Sequence, residues 1–291
     1  MADIFLPPAR GPRRDSPPQD RPFPVRDGLK VTPLLLAAEM YPELERLVMG
    51  AREAAFLAFR VFDPQTATRS AEAKAAGLAD WAALLKARVA AGVTVRVLLT
   101  DFEPTVAHQL HATSWSSFRA LRDVLADLDE ADRERFEIIV SQHPGELGWG
   151  MRQLLRLPMG LMLRRLVREF AETGGDIEAL LAVRPGLWRY VKTDGGTPSF
   201  RRGPAPRMWP ATHHHKFAVI DGRVAIVGGL DVDERRWETR RYDQPAPESW
   251  HDVSVKLEGP AAGDAAEHFR RLWNFELPRF REITRFWLSG V

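Results

Sequence analysis

Hydrophobic positions along the chain change period several times, and each change marks an element. "YPELERLVMGARE" (41–53) repeats its apolar positions at helical spacing, "AAFLAFRVFD" (54–63) is a short β-type run closed by Asp63-Pro64, and "LADWAALLKARVAAG" (78–92) is again helical with Gly92 as its stop. "VTVRVLLTD" (93–101) is continuous enough to be a buried strand. The helix-like "SWSSFRALRDVLADL" then precedes the strand-like "FEIIVSQ", and the chain ends with two strand-rich segments, "HHHKFAVIDGRVAIVGG" and "WHDVSVKLEG", followed by the helical "AAEHFRRLWNFE". This alternation predicts an α/β protein with a mixed β-sheet flanked by helices on both faces.

Residues 1–30, rich in Pro, Arg and Asp without a hydrophobic period, predict an extended or disordered N-terminal arm. Residues 31–291 are expected to form a single domain, with a helical insertion at about 143–200. Within that insertion "MRQLLRLPMGLMLRRLVREF" (151–170) mixes Leu and Met with five arginines. It reads as two amphipathic helices broken by Pro158 and Gly160, packed on the domain or lying in a lipid interface.

With no cysteine among 291 residues, disulfides and thiolate metal sites are excluded, and a zinc site would need His, Asp or Glu. A site built from the histidine triplet with "HQLH" (108–111) lacks any supporting motif, so no metal and no cofactor are expected. A net charge of +2 does not by itself require a nucleic-acid partner. The N-terminal residues have no signal-like apolar core, and no uncharged run is long enough to span a bilayer. The expectation is a cytoplasmic protein, with peripheral attachment to a membrane open.

The chemistry concentrates in "THHHKFAVIDGRVAIVGGLD" (212–231). Asp221-Gly222 between two apolar runs signals a two-residue hairpin turn, which would place Ile220 opposite Arg223 and His214 opposite Gly229. Alternation puts His214 and Lys216 on one face, and His213 and His215 on the other as packing histidines. An imidazole beside an ammonium suits phosphoryl transfer, and two glycines leave backbone that an anion can approach. Asp221 lies roughly 20 Å from His214 at strand rise, so its part is the turn.

His214-x-Lys216, four residues, Asp221, six residues and Gly228-Gly229 resemble the HKD motif of the phospholipase D superfamily, with every spacing intact. "GGLDVDERRW" and "SWHDVSVKLEGPAAGDAAEHFRRLWNFE" are similar to the phospholipase branch. The resemblance implies a phospholipase D-like fold and a metal-independent phosphodiesterase that hydrolyses or transfers the phosphatidyl group of glycerophospholipids through a phosphohistidine. His214 would be the nucleophile, Lys216 the phosphate ligand, Asp221 the turn residue and Asp252 the acid that orients the histidine of an opposing motif. Gly228, Gly229 and Asp231 would border the substrate. Many members carry Asn at the position of Asp231, and a carboxylate there repels a phosphodiester unless it is paired.

The family's reaction uses two such motifs, and this sequence has one. The second would come from a homodimer partner or from a C-terminal half, and the long region before the motif favours the half-enzyme. The alternatives are a nuclease of the same family and a non-catalytic, membrane-binding half-enzyme.

Overall fold

The computed structural model describes residues 26–172, 176–194, 197–201 and 207–288. Most of the predicted N-terminal arm lies outside them. In chain order the elements are β1 (Lys30–Leu35), α1 (Leu36–Met49), β2 (Ala54–Phe59), α2 (Ala71–Ala75), α3 (Trp81–Ala90), β3 (Thr94–Thr100), α4 (His108–Leu125), α5 (Glu130–Arg135) and β4 (Phe136–Ser141). There follow α6 (Trp149–Leu154), α7 (Arg156–Glu172), α8 (Ile177–Ala182), β5 (Val191–Asp194), β6 (Thr197–Phe200), β7 (Lys216–Ile220), β8 (Val224–Gly228), β9 (Val253–Glu258) and α9 (Pro260–Leu288).

The main sheet has seven strands in the order β1-β9-β8-β7-β2-β3-β4. From β1 to β2 every neighbouring pair is antiparallel. β3 and β4 each follow through helices, the kind of crossover that parallel neighbours need. The fold is therefore α/β with a mixed sheet, as the hydrophobic pattern predicts. Local chemistry explains the boundaries: Asp80 caps α3 by accepting the Ala83 N–H at 2.8 Å, and Gly92 leaves that helix at φ +87°.

The chain clusters into two compact units. One comprises residues 1–98, 121–138 and 215–275, the other 99–120, 139–214 and 276–291. In the first, helices cover both sheet faces. Phe56 and Phe217 pack on Phe269 of α9, with the Phe56 and Phe269 rings stacked at 4.8 Å. Residues of the opposite parity, Leu57, Phe59, Ala218 and Lys216, face the other side, where Phe59 reaches Phe62 and through it Trp81 of α3. In the second unit Leu163, Leu166, Val167 and Phe170 of α7 pack with Ile177, Leu187 and Val191, and a separate cluster joins Trp115, Val140, Trp209 and Ile283.

Three sequence expectations change. β1 starts at Lys30, so the arm ends in an edge strand. The 143–200 stretch contains the β5–β6 hairpin beside its helices. The interruption of the Arg/Leu/Met segment comes at Leu155, between α6 and α7, and not at Pro158 and Gly160. Pro158 occupies the first turn of α7, where the missing N–H has no intrahelical acceptor to lose.

Candidate active site

The strongest local expectation, a tight turn at Asp221-Gly222, is met: both residues have positive φ, +52° and +65°, and the Arg223 N–H bonds the Ile220 carbonyl at 3.0 Å. The register differs from the expectation by one. Ile220 pairs with Val224 and Phe217 with Val227, so Arg223 is an extra residue on the return strand. The physical reason is the neighbouring strand: the Arg223 carbonyl turns to the Gly259 N–H at 3.3 Å and does not enter the β7 ladder. Extended by one pair, the register puts Lys216 opposite Gly228, whose partner on β9 is Ser254, and takes His214 away from its expected place opposite Gly229.

Lys216 opens β7 and is 7% exposed. Its ammonium lies 3.8 Å from the carboxylate of Asp231, which is also buried. Desolvation pushes the lysine below its ordinary pKa and Arg60 and Arg236 add to this, while Asp231 and Asp252 oppose it. Desolvation likewise raises Asp231, opposed by the Val61 N–H, which its carboxylate accepts at 2.9 Å, and by the charge of Lys216. The Tyr41 hydroxyl bonds the Asp231 main-chain carbonyl at 2.8 Å and fixes that loop to α1. Asp231 is thus a buried counter-ion for Lys216 and one anchor of the segment after β2. Its pairing removes the repulsion that an unpaired carboxylate would exert on a phosphodiester.

Gly228 and Gly229 are required by close approach. A Cβ on Gly228 would overlap Ser254, and one on Gly229 would overlap the Asp252 carboxylate, which lies directly over its Cα. The Asp252 carbonyl accepts the N–H of Leu36 at 3.0 Å, and Leu36 is held at φ +62°. A leucine in that region costs about 1–2 kcal/mol, so the β1–α1 junction carries strain where it holds Asp252 in place.

Asp221 is at the other end of β7 from Lys216. Its carboxylate accepts the N–H groups of Arg52, Glu53 and Ala54 at 3.0, 2.8 and 2.9 Å. Desolvation pulls its pKa upward, but the three backbone donors together outweigh it and the net shift is down. The residue clamps the start of β2 to the hairpin, and the structure does not bring it to Lys216.

Of the three histidines, His214 is exposed on the extended approach to β7, two residues before Lys216. His213 bonds buried Glu276 through Nε2 at 3.0 Å, and Thr100 donates to its carbonyl at 3.0 Å. His215 packs on Phe217 and His268. These are the packing roles that alternation predicts for the outer pair.

The "HQLH" histidines have separate partners. His111 Nδ1 meets Asp101 at 2.7 Å in full burial, and His108 packs edge-on against Phe170. Among the described residues no group of three or more His, Asp or Glu side chains is arranged to hold a metal. Sequence reasoning missed Arg60 and Arg236, whose charges act on Lys216, and the stacking of Arg236 on Trp250 at 3.4 Å. The signal for Arg236 was "DERRW", in which nothing distinguishes one arginine from the next, and Arg60 stands alone in "AFRVF" with no motif around it.

No family model matches the chain. Curated proteins do: phospholipase D B of Dictyostelium discoideum is 30% identical over 106 residues, covering 24% of this chain and 9% of that protein. Phospholipase D of Streptomyces antibioticus is 32% identical over 77 residues, 26% of this chain and 13% of that protein. Over these stretches the chain is similar to phospholipase D proteins. It spans between 9 and 13% of the length of these two relatives. Two solved structures overlap it broadly at low similarity. NucT from Helicobacter pylori is 10% identical with a TM-score of 0.36, over 85% of this chain and 97% of that one. Nuc from Salmonella typhimurium, a phospholipase D family member, is 9% identical with a TM-score of 0.40, over 84% and 95%.

Proposed function

We propose that this chain contributes one HKD half-site to an enzyme that cleaves the phosphodiester of glycerophospholipids by way of a phosphohistidine. The observation that carries the reading is a buried Lys216 paired with Asp231, two residues after an exposed His214 and beside glycines that admit the Asp252 carboxylate. The curated relatives, all named phospholipase D, support lipid as the substrate class.

In the proposed cycle a neutral nitrogen of His214 bonds to phosphorus while the bond to the leaving alcohol breaks. That alcohol takes a proton from a second histidine, supplied by a second motif on a homodimer partner or a C-terminal half. Water or an acceptor alcohol then gives its proton to the same second histidine and attacks phosphorus, the P–N bond breaks, and His214 is restored. Lys216 offsets charge on the non-bridging oxygens, and burial strengthens its effect. Asp252 would hold the ring of the opposing histidine and stabilise its cationic form. No cofactor or metal enters the scheme.

A nuclease of the same family is the second reading. It is favoured by the cationic surroundings of Lys216, since Arg60 and Arg236 suit any phosphodiester anion. The test is headgroup release from mixed phospholipid vesicles in EDTA, beside cleavage of a single-stranded oligonucleotide, with wild type and His214→Ala. EDTA-resistant headgroup release lost in the variant supports the lipid reading and a site completed by two copies. Oligonucleotide cleavage alone replaces it with the nuclease. Folded protein inactive on both, even when mixed with a chain carrying a second motif, would mean a non-catalytic relative.

A further inference from the structure

One helix satisfies its core and still presents a second apolar face. Met159, Leu163, Leu166, Val167 and Phe170 of α7 are buried. On the opposite side, at successive helical spacings, stand Leu157 (80% exposed) and Leu161 (65%), followed by Arg164 and Arg168. The preceding α6 adds Trp149 (75% exposed), Leu154 (72%) and Met151. Scattered exposed leucines need no explanation, but five large apolar side chains within thirteen residues form a patch.

Charge decides what the patch suits. Residues 149–168 contain five arginines and no acidic residue. Arg152 and Arg165 are paired with the flanking Glu146 and Glu169, and against a second copy of the same face the other three, Arg156, Arg164 and Arg168, would meet one another with no carboxylate in the stretch to pair with them. A nucleic acid would match the charge but leave the tryptophan and leucines with nothing to bury them. A bilayer containing anionic phospholipid answers both demands, offering phosphates to arginine and a hydrocarbon boundary to the apolar tips. Among the described residues no helix is long and apolar enough to cross a membrane, and this geometry needs none.

We propose that α6 and the adjacent outer face of α7 dock this protein on anionic phospholipid membranes. Trp149, Leu154, Leu157 and Leu161 enter the boundary between headgroups and acyl chains, and Arg164 and Arg168 engage lipid phosphates. The inference deepens the phospholipid reading and rests on it only for the identity of the substrate, because docking is measured without turnover.

The test is co-sedimentation of the His214→Ala protein with phosphatidylcholine vesicles, with and without phosphatidylglycerol, at low and high salt. Sedimentation should require phosphatidylglycerol and weaken as salt rises. It should fall by at least about tenfold in Leu157→Glu/Leu161→Glu, where two apolar anchors become charges. Arg168→Gln, which leaves the apolar surface unchanged, should also bind more weakly and serves if the first variant misfolds; Arg164, which lies over the Phe200 ring at 5.3 Å, is kept. Absence of binding by the folded protein overturns the proposal, as does binding indifferent to both variants. So does a wild-type dimer that the glutamates convert to monomer without any vesicle binding. Headgroup release that fails while docking persists refutes only the chemistry; docking that fails while a soluble short-chain phospholipid is still cleaved refutes only the membrane surface.

Discussion

Replacing Asp221 with Ala separates structure from chemistry at the third residue of the motif. The carboxylate accepts three backbone N–H groups at the start of β2, and its own residue sits at φ +52°. Two of the three donors are exposed and can turn to water, so the loss falls below that of three buried charge-assisted bonds, at about 2–3 kcal/mol. Forcing alanine into the left-handed region adds about 1 kcal/mol. The total, about 3–4 kcal/mol, is a large share of a typical stability of about 5–15 kcal/mol. Asp221→Asn keeps an acceptor and tolerates positive φ, so it should lose about half as much.

The assay is urea unfolding followed by tryptophan fluorescence. Its pH dependence has a definite sign. Because the folded pKa of Asp221 is lowered, its contribution is complete above the unfolded value near 4 and is lost as pH falls through the folded one. The gap between wild type and Asp221→Asn should therefore be widest at neutral pH and close in acid. An Asp221→Ala protein as stable as wild type but inactive would refute the clamp and return the residue to the chemistry.

Other substitutions probe the rest of the site. Gly229→Ala drives a methyl into the Asp252 carboxylate and should lower kcat by about tenfold or more, because small displacements of catalytic groups are costly; measuring kcat and KM separately checks this. Lys216→Met strands Asp231 and should cost up to about 3–5 kcal/mol, and adding Asp231→Asn should recover much of that stability without restoring turnover. Thermal melts of the single and double variants measure the coupling. His213→Asn, which loses the bond to Glu276, should destabilise by about 1 kcal/mol yet leave turnover within a few-fold, whereas His214→Ala should abolish it. A chemically dead but stable His213→Asn would show that the triplet was assigned wrongly.

Elements defined by their neighbours in sequence were legible in it. The Asp-Gly turn, the helix stop at Gly92, the alternation that separates His213 and His215 from Lys216, and the spacing of His214, Lys216, Asp221, Gly228 and Gly229 all depend on local backbone geometry. The one-residue slip at Arg223 was not legible, because it depends on Gly259 at the end of a third strand. Nor was the role of Asp231: whether a carboxylate meets substrate or a buried lysine depends on the Val61 N–H, just after β2, and on Lys216 of β7 standing beside it. The glycine pair could be read as open backbone, but its real occupants, Ser254 and Asp252, come from β9 and the residue just before it. In α7 the composition indicated an amphipathic helix, and only packing with Ile177, Leu187 and Val191 decided which apolar residues were buried and which were left outside. Turns, caps and side-chain parity are properties of a few consecutive residues, and the sequence by itself determined them. Register, counter-ions and the choice of buried face require chain segments distant in sequence to meet, and only the tertiary structure decided those.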